Sequence, residues 1–285
     1  MNQNQFPTMT IGTVALTVAN LDDSLAYYQE HIGLRLHRHE GAVAYLGVGG
    51  ADLLRLEEKR GARKAFGTTG LYHYALLLPS RTDLAFTLRH FAEKQTMLSG
   101  MSDHAVSEAI YLSDPDGHGI EIYRDRPHEE WVWEDGRLKM TVDPLDVASL
   151  FDSLLHVPQQ TWQGLPAGTV MGHMHLHVAS IPEAEQFYRD ILGFDLVARY
   201  GAGASFLSTG GYHHHLGVNT WNGVGAPPPS PDDLGLQWYE IRVTAVHLPH
   251  LLQRLDNAAI PVTQSAQGWH LTDPSGNGIV LVQGN

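Results

Sequence analysis

Leu16 to Leu34 reads LTVANLDDSLAYYQEHIGL, and Leu176 to Phe194 echoes it as LHVASIPEAEQFYRDILGF. In each copy a run of alternating character gives way to a stretch whose apolar residues recur every three to four positions, as at Leu25, Tyr28 and Ile32. Gly33 and Gly193 then stand where a helix C-cap glycine would. The far ends repeat as well, Asp114 to Tyr123 reading DPDGHGIEIY and Asp273 to Val282 reading DPSGNGIVLV. The second half of the chain therefore restarts the first.

Between these anchors, Tyr72 to Pro79 (YHYALLLP) and Gln237 to Thr244 (QWYEIRVT) alternate like strands, and each leads into a helix-like stretch. Four modules result, near 8–58, 70–127, 170–222 and 235–283. Short strands separated by Gly and Pro turns follow each helix, among them Val43 to Val48, Asp52 to Leu56, Ala204 to Leu207 and His214 to Asn219. The module reads βαβββ, and the fold class is α+β. The expected division is an N-terminal half over 1–127 with modules one and two, a linker over 128–165 with a helix from Val142 to Leu155, and a C-terminal half over 166–285 with modules three and four. A second linker carries Pro227, Pro228, Pro229 and Pro231.

Composition narrows the chemistry. The 285 residues carry a formal charge of −13, which repels phosphate backbones and anionic bilayers, so neither nucleic acid nor membrane is an expected partner. Cysteine is absent, so disulfides, thiolate nucleophiles and Cys-built metal sites are excluded. Any metal must be held by His and carboxylate, and there are 18 histidines. Met1 to Gln5 is polar, and no run reaches the roughly 20 apolar residues of a membrane span, so a cytoplasmic location is expected.

Four βαβββ modules in this order resemble the vicinal oxygen chelate superfamily, which includes glyoxalase I, bleomycin-resistance proteins and extradiol ring-cleaving dioxygenases. The resemblance covers nearly the whole chain, and it implies sheets curled in pairs into cups with a divalent metal on a concave face. Within module two, His104 to Glu121 reads H-x5-I-Y-x2-D-P-x-G-x3-E, with Ile110, Tyr111, Asp114, Pro115 and Gly117 at the intermediate fixed places. This resembles the signature of the catechol 2,3-dioxygenase family, apart from Ser102, where the family prefers Gly, Asn, Thr or an aliphatic residue. The residues agree with it: Ile120 and Ile122 share one strand face, so if they pack beneath a helix, Glu121 points into the cup.

The resemblance implies three metal ligands. His73 and His173 open equivalent strands, HYALLL and HMHLHV, at the place of a module's first ligand, and Glu121 supplies the carboxylate. It also maps a second histidine and an active-site tyrosine onto His104 and Tyr111. An acid–base histidine falls in YHHHLGV, Tyr212 to Val218, where the family's His pair favours His214 while strand parity aims His213 and His215 inward. His175 and His177 share a face with His173 and are expected to line the pocket. Module one has Thr13 at the ligand place, and module four has Trp238, His270 and Val280 at the places of the ligand His, Tyr111 and Glu121. Only modules two and three together gather a full set, so they are expected to form the catalytic cup, within one chain or between two chains, and modules one and four a metal-free one.

The implied cofactor is Fe(II), from which these ligand types do not separate Mn(II), and the implied substrates are a catechol and O2. Oligomeric state is left open, a homo-oligomer included. Two other readings remain: a glyoxalase-like lyase or isomerase in which His215 serves as a fourth ligand, and a non-enzymatic binding protein of the bleomycin-resistance kind.

Overall fold

The computed structural model describes residues 8–134, 137–155, 157–158 and 161–284, so the polar segment Met1 to Gln5 lies outside the described residues. The fold is α+β, and every module has the order βαβββ. Module one runs β1 (Met9–Val18), α1 (Leu21–Tyr27), β2 (Arg35–Glu40), β3 (Val43–Gly47) and β4 (Asp52–Glu58). Module two runs β5 (Gly70–Leu77), α2 (Arg81–Glu93), β6 (Leu98–Asp103), β7 (Ser107–Ser113) and β8 (Gly119–Asp125). After the linker helix α3 (Val147–Asp152), module three runs β9 (Val170–His177), α4 (Ile181–Glu185), β10 (Asp195–Tyr200), β11 (Ala204–Ser208) and β12 (Leu216–Asn219). Module four runs β13 (Asp233–Thr244), α5 (Leu248–Asn257), β14 (Thr263–Gln264), β15 (Trp269–Thr272) and β16 (Gly278–Gly284).

Local chemistry sets the helix ends. Asn20 accepts from the Asp22 and Asp23 amides, Ser80 from Asp83 and Ser180 from Glu183, each satisfying amides that a helix start leaves without partners. Helix α1 widens into a π-type turn over Tyr28–Ile32 and stops at Gly33, whose φ of 84° is left-handed, so that residue favours glycine. Helix α4 ends in the same way at Gly193, with φ of 94°.

The chain divides into two compact units, one of Val18–Gly61 and His73–Met171, the other of Met1–Thr17, Ala62–Tyr72 and Gly172–Asn285. In the first, β5 lies parallel to β8, β8 antiparallel to β7, and β7 antiparallel to β6. In the second, β9 runs parallel to β12 and β13 parallel to β16, while β1 and β13, the first strands of modules one and four, pair antiparallel. That last pairing carries a bulge at Gln237, between Ala15↔Trp238 and Leu16↔Leu236.

The linker helix is shorter than the expected Val142 to Leu155. Asp143 and Pro144 extend along β6 instead, and Asp146 caps the helix by accepting from the Ser149 amide. Pro144 has no N–H to give a helix interior, which explains the late start. This helix is held by a buried ion cluster. Arg81 donates to both Glu108 carboxylate oxygens, at 2.8 and 3.0 Å, and to the Ser149 carbonyl at 2.7 Å, while Arg124 Nε reaches Glu108 at 2.7 Å.

Burial alone would raise the Glu108 carboxyl, but the hydrogen bonds and charges of Arg81 and Arg124 outweigh it and hold the group below its ordinary value. Glu108→Ala strands two guanidinium groups and is expected to cost about 3–5 kcal/mol in chemical denaturation at neutral pH. Because the folded-state value is depressed, this contribution is full above the unfolded carboxylate value and fades as pH falls through the folded one. The gap between wild type and variant should therefore close in acid, and a gap that widened there would contradict the assignment.

Candidate metal centre

Strand β8 carries Glu121 between two neighbours, Ala75 on β5 and Tyr111 on β7. Its alternation sends Ile120 and Ile122 to the opposite face, where both are buried. On the Glu121 side, Ala75, Ala109 and Tyr123 form a buried cluster with Leu77 and Tyr111 packed against it. His73 is 6% exposed and Glu121 3%, and His73 Nε2 lies 3.0 Å from Glu121 Oε2. Two donor atoms about 2.1 Å from one ion and at right angles stand about 3.0 Å apart, so this pair fits neighbouring positions on a divalent cation. The donor types, neutral imidazole and carboxylate, suit a first-row transition metal.

His104 and Tyr111, expected from the sequence motif, are in contact. His104 stands in the tight turn after β6, with Nδ1 2.7 Å from the Thr141 carbonyl and Nε2 2.7 Å from the Tyr111 hydroxyl. A carbonyl only accepts, so Nδ1 carries a proton, and in the neutral ring Nε2 accepts the Tyr111 hydroxyl. The Tyr111 ring centre lies 5.7 Å from that of His73. Thr141 belongs to the linker, and no local pattern marks it as a partner of His104.

The second unit is rich in imidazole. His173 on β9 is 1% exposed, and its ring centre lies 4.1 Å from His214 and 6.1 Å from His213. The expected strand from His214 starts instead at Leu216, with His213 and His215 buried and His214 partly so. Turn bonds explain the difference: Ser208 Oγ donates to the Tyr212 carbonyl at 2.6 Å, and the Thr209 amide donates to His215 Nδ1 at 3.3 Å. Burial, with His213 and His173 adding to it, pushes the His215 imidazolium down to about 3, so this ring stays neutral. His214 Nδ1 lies 2.8 Å from His213 Nδ1, so one of the two nitrogens is the donor.

His175 and His177 sit among aromatic rings and polar partners. His175 lies beside Tyr72, Phe206 and Trp221, at 5.0, 5.8 and 5.4 Å between ring centres, and His177 Nδ1 is 2.7 Å from Asn219 Oδ1. A Cβ on Gly217 would come within 2.9 Å of the His175 ring, so the glycine makes room for it. Tyr72 and Trp221 are contributions that the sequence reading missed. Tyr72 immediately precedes His73 and, by simple alternation, should point away from it; Gln237, at the same place in module four, is the bulged residue that breaks alternation.

Thr13, in module one, directs its amide to Glu240 Oε2 at 3.0 Å. In module four, His270 pairs with Val280 just as Tyr111 pairs with Glu121, so this copy keeps the register and lacks the carboxylate.

The family model described as the glyoxalase/bleomycin resistance protein/dioxygenase superfamily matches residues 10–122 and 170–281. The chain is 38% identical over 275 residues to a protein of Bacillus subtilis (strain 168) named catechol-2,3-dioxygenase, covering 93% of each chain. Among solved structures, a putative dioxygenase from Bacillus subtilis subsp. subtilis str. 168 superposes with a TM-score of 0.64 at 13% identity, covering 98% of this chain and 86% of that one. Glyoxalase I from Zea mays gives 0.58 at 15%, covering 96% and 92%. At these identities the two structures speak to fold alone.

The His104 geometry makes a direct prediction. Nitrogen-15 NMR should find His104 protonated at Nδ1 with Nε2 bare, and Tyr111→Phe should shift the Nε2 resonance while leaving the Nδ1 proton in place. A ring protonated only at Nε2 would contradict the assignment.

Proposed function

The chain belongs to the glyoxalase/bleomycin resistance protein/dioxygenase superfamily, and from that premise we propose that it is an Fe(II)-dependent extradiol dioxygenase. Its substrate is catechol or a substituted catechol, and both atoms of O2 enter the opened ring to give a hydroxymuconic semialdehyde. The observation that carries this reading is the pair of His73 and Glu121, both buried, whose donor atoms stand 3.0 Å apart as neighbouring metal ligands do, with His173 as the further ligand of the proposed set. Two imidazoles and one carboxylate make the set that leaves places for other ligands on a non-haem iron. Bound there, Fe(II) would supply Lewis acidity toward the catechol oxygens and electron transfer toward O2.

The chain's own groups manage protons. His214, beside His173, takes a proton from a catechol hydroxyl and returns it as the ring opens. Tyr111 donates its own proton to His104 Nε2, so toward the substrate it acts as a hydrogen-bond acceptor, and the Thr141 carbonyl keeps His104 in the tautomer that allows this. His215 is set apart from both this role and that of a fourth ligand, because its Nδ1 already accepts the Thr209 amide. This favours the three-ligand dioxygenase over the four-ligand isomerase.

After anaerobic loading with Fe(II), the wild type should turn catechol into a yellow product under air. Glu121→Ala should lose both bound iron, measured by elemental analysis, and turnover, with its circular dichroism unchanged. His214→Gln should keep its iron and lose roughly 10²–10⁴ in turnover. Full iron occupancy and normal ring cleavage in Glu121→Ala would sink the proposal.

A further inference from the structure

The hairpin that carries Glu121 is gripped from outside its own module. From module one, the Ala19 amide donates to Asp116 Oδ2 at 3.0 Å, the Tyr27 hydroxyl to the Ser113 carbonyl at 2.9 Å, and the Tyr28 hydroxyl to Asp114 Oδ2 at 2.8 Å. Tyr28 also accepts the hydroxyl of Tyr74, next to His73 on β5, at 3.1 Å. Within the turn, Asp114 Oδ1 accepts the Asp116 and His118 amides, and His118 Nδ1 donates to Oδ2 at 2.7 Å. Tyr28, Tyr74, Asp114 and His118 are all buried.

The repeat supplies an internal control. In modules three and four, the Ala179 amide donates to Ser275 Oγ at 3.0 Å and the Tyr188 hydroxyl to Asp273 Oδ2 at 2.9 Å, with Tyr239 at 3.0 Å from Tyr188. Asp273 accepts the Ser275 and Asn277 amides and the Asn277 side chain. This grip suffices to hold the fold, yet it differs at three places, one of them Ser275 where module two has Asp116. Phe187 stands where module one has Tyr27, and Asn277 where module two has His118. The Tyr27 hydroxyl and the His118 imidazole thus act at the hairpin that bears Glu121, whereas the other copy, which bears Val280, is held by Asn277 and by Thr69 Oγ1, which donates to the Ser275 carbonyl at 2.7 Å. Burial and the nearby Asp114 charge push the Tyr27 phenol up to about 12, so it remains a donor to the Ser113 carbonyl.

A ligand must be held to within about 0.5 Å of its working position, and Glu121 is the third residue of a strand that begins just beyond the gripped turn. We propose that Tyr27, Tyr28 and His118 are positioning residues for Glu121, so that module one, which offers no ligand of its own, is needed for metal affinity. This rests on Glu121 being a ligand, as proposed above.

Tyr27→Phe and His118→Asn each install the residue that the other copy already tolerates, so the turn should still close. Anaerobic Fe(II) titration should show dissociation constants about 3-fold higher for each and about 10-fold higher for the double variant, with melting temperatures within about 2 °C of wild type. Tyr28→Phe and Tyr188→Phe remove matched buried hydroxyls and should lower the melting temperature equally. Only Tyr28→Phe should weaken Fe(II) binding, by about 10-fold. Wild-type affinity in the double variant, or equal loss of affinity in Tyr28→Phe and Tyr188→Phe, overturns the positioning role while the metal site stands. Failure of the wild type to take up Fe(II) overturns both proposals.

Discussion

A tyrosine hydroxyl donated to a buried aspartate closes each half of the repeat. Tyr28 reaches Asp114 and Tyr188 reaches Asp273, in each case from the π-type turn of a module's helix to the turn that precedes the last strand of the following module. A buried carboxylate is costly unless its oxygens are hydrogen-bonded, so this contact is made well or the hairpin cannot be buried. Both carboxylates meet that condition with four donors: two turn amides, the tyrosine, and the side chain four residues on. The modules are thereby tied in consecutive pairs through polar groups rather than through apolar packing alone.

The two carboxylates end on opposite sides of the ordinary aspartate value. Burial raises both, but at Asp114 the neighbouring His118 imidazole and its hydrogen bonds outweigh the cost and hold the group below its ordinary value. At Asp273 the neutral amide of Asn277, with Tyr188 and Ser275, offsets burial only in part, and the group stays raised. Ionisation therefore favours the folded state at the first turn and opposes it at the second. Of the differences between the two networks, His118 against Asn277 is the one in direct contact with the buried aspartate.

The same economy governs the site. Strand β8 places Glu121 beside His73, and Tyr111 on the next strand faces Glu121 in register, so one hairpin delivers both a carboxylate and a phenol. In module four the hairpin survives with Val280 and His270 at those places, showing that its geometry does not depend on the chemistry it carries. Substitution at two or three inward positions is enough to separate a candidate metal-binding copy from a scaffold copy. The histidines near His173 divide in the same way, with His215 sealed into the loop by the Thr209 amide and His214 left beside His173.

Repetition and alternation made the module order and the fold class legible in the amino-acid sequence, and the resemblance to a known family pointed to the candidate ligands. Period-two patterning places Glu121 opposite two isoleucines, and the repeated helix and turn segments align Thr13, His73, His173 and Trp238 without any structure. Those signals are local, carried by residues a few positions apart. What the sequence left undecided depends on residues distant along the chain. The strand expected from His214 starts at Leu216 because the loop before it is held by Ser208 and Thr209. The tautomer of His104 turned on the Thr141 carbonyl, Tyr72 joined the histidine face against simple alternation, and the linker helix shortened because Asp143 and Pro144 found β6. Hydrogen bonds between distant segments have no period, so only the folded chain could decide them.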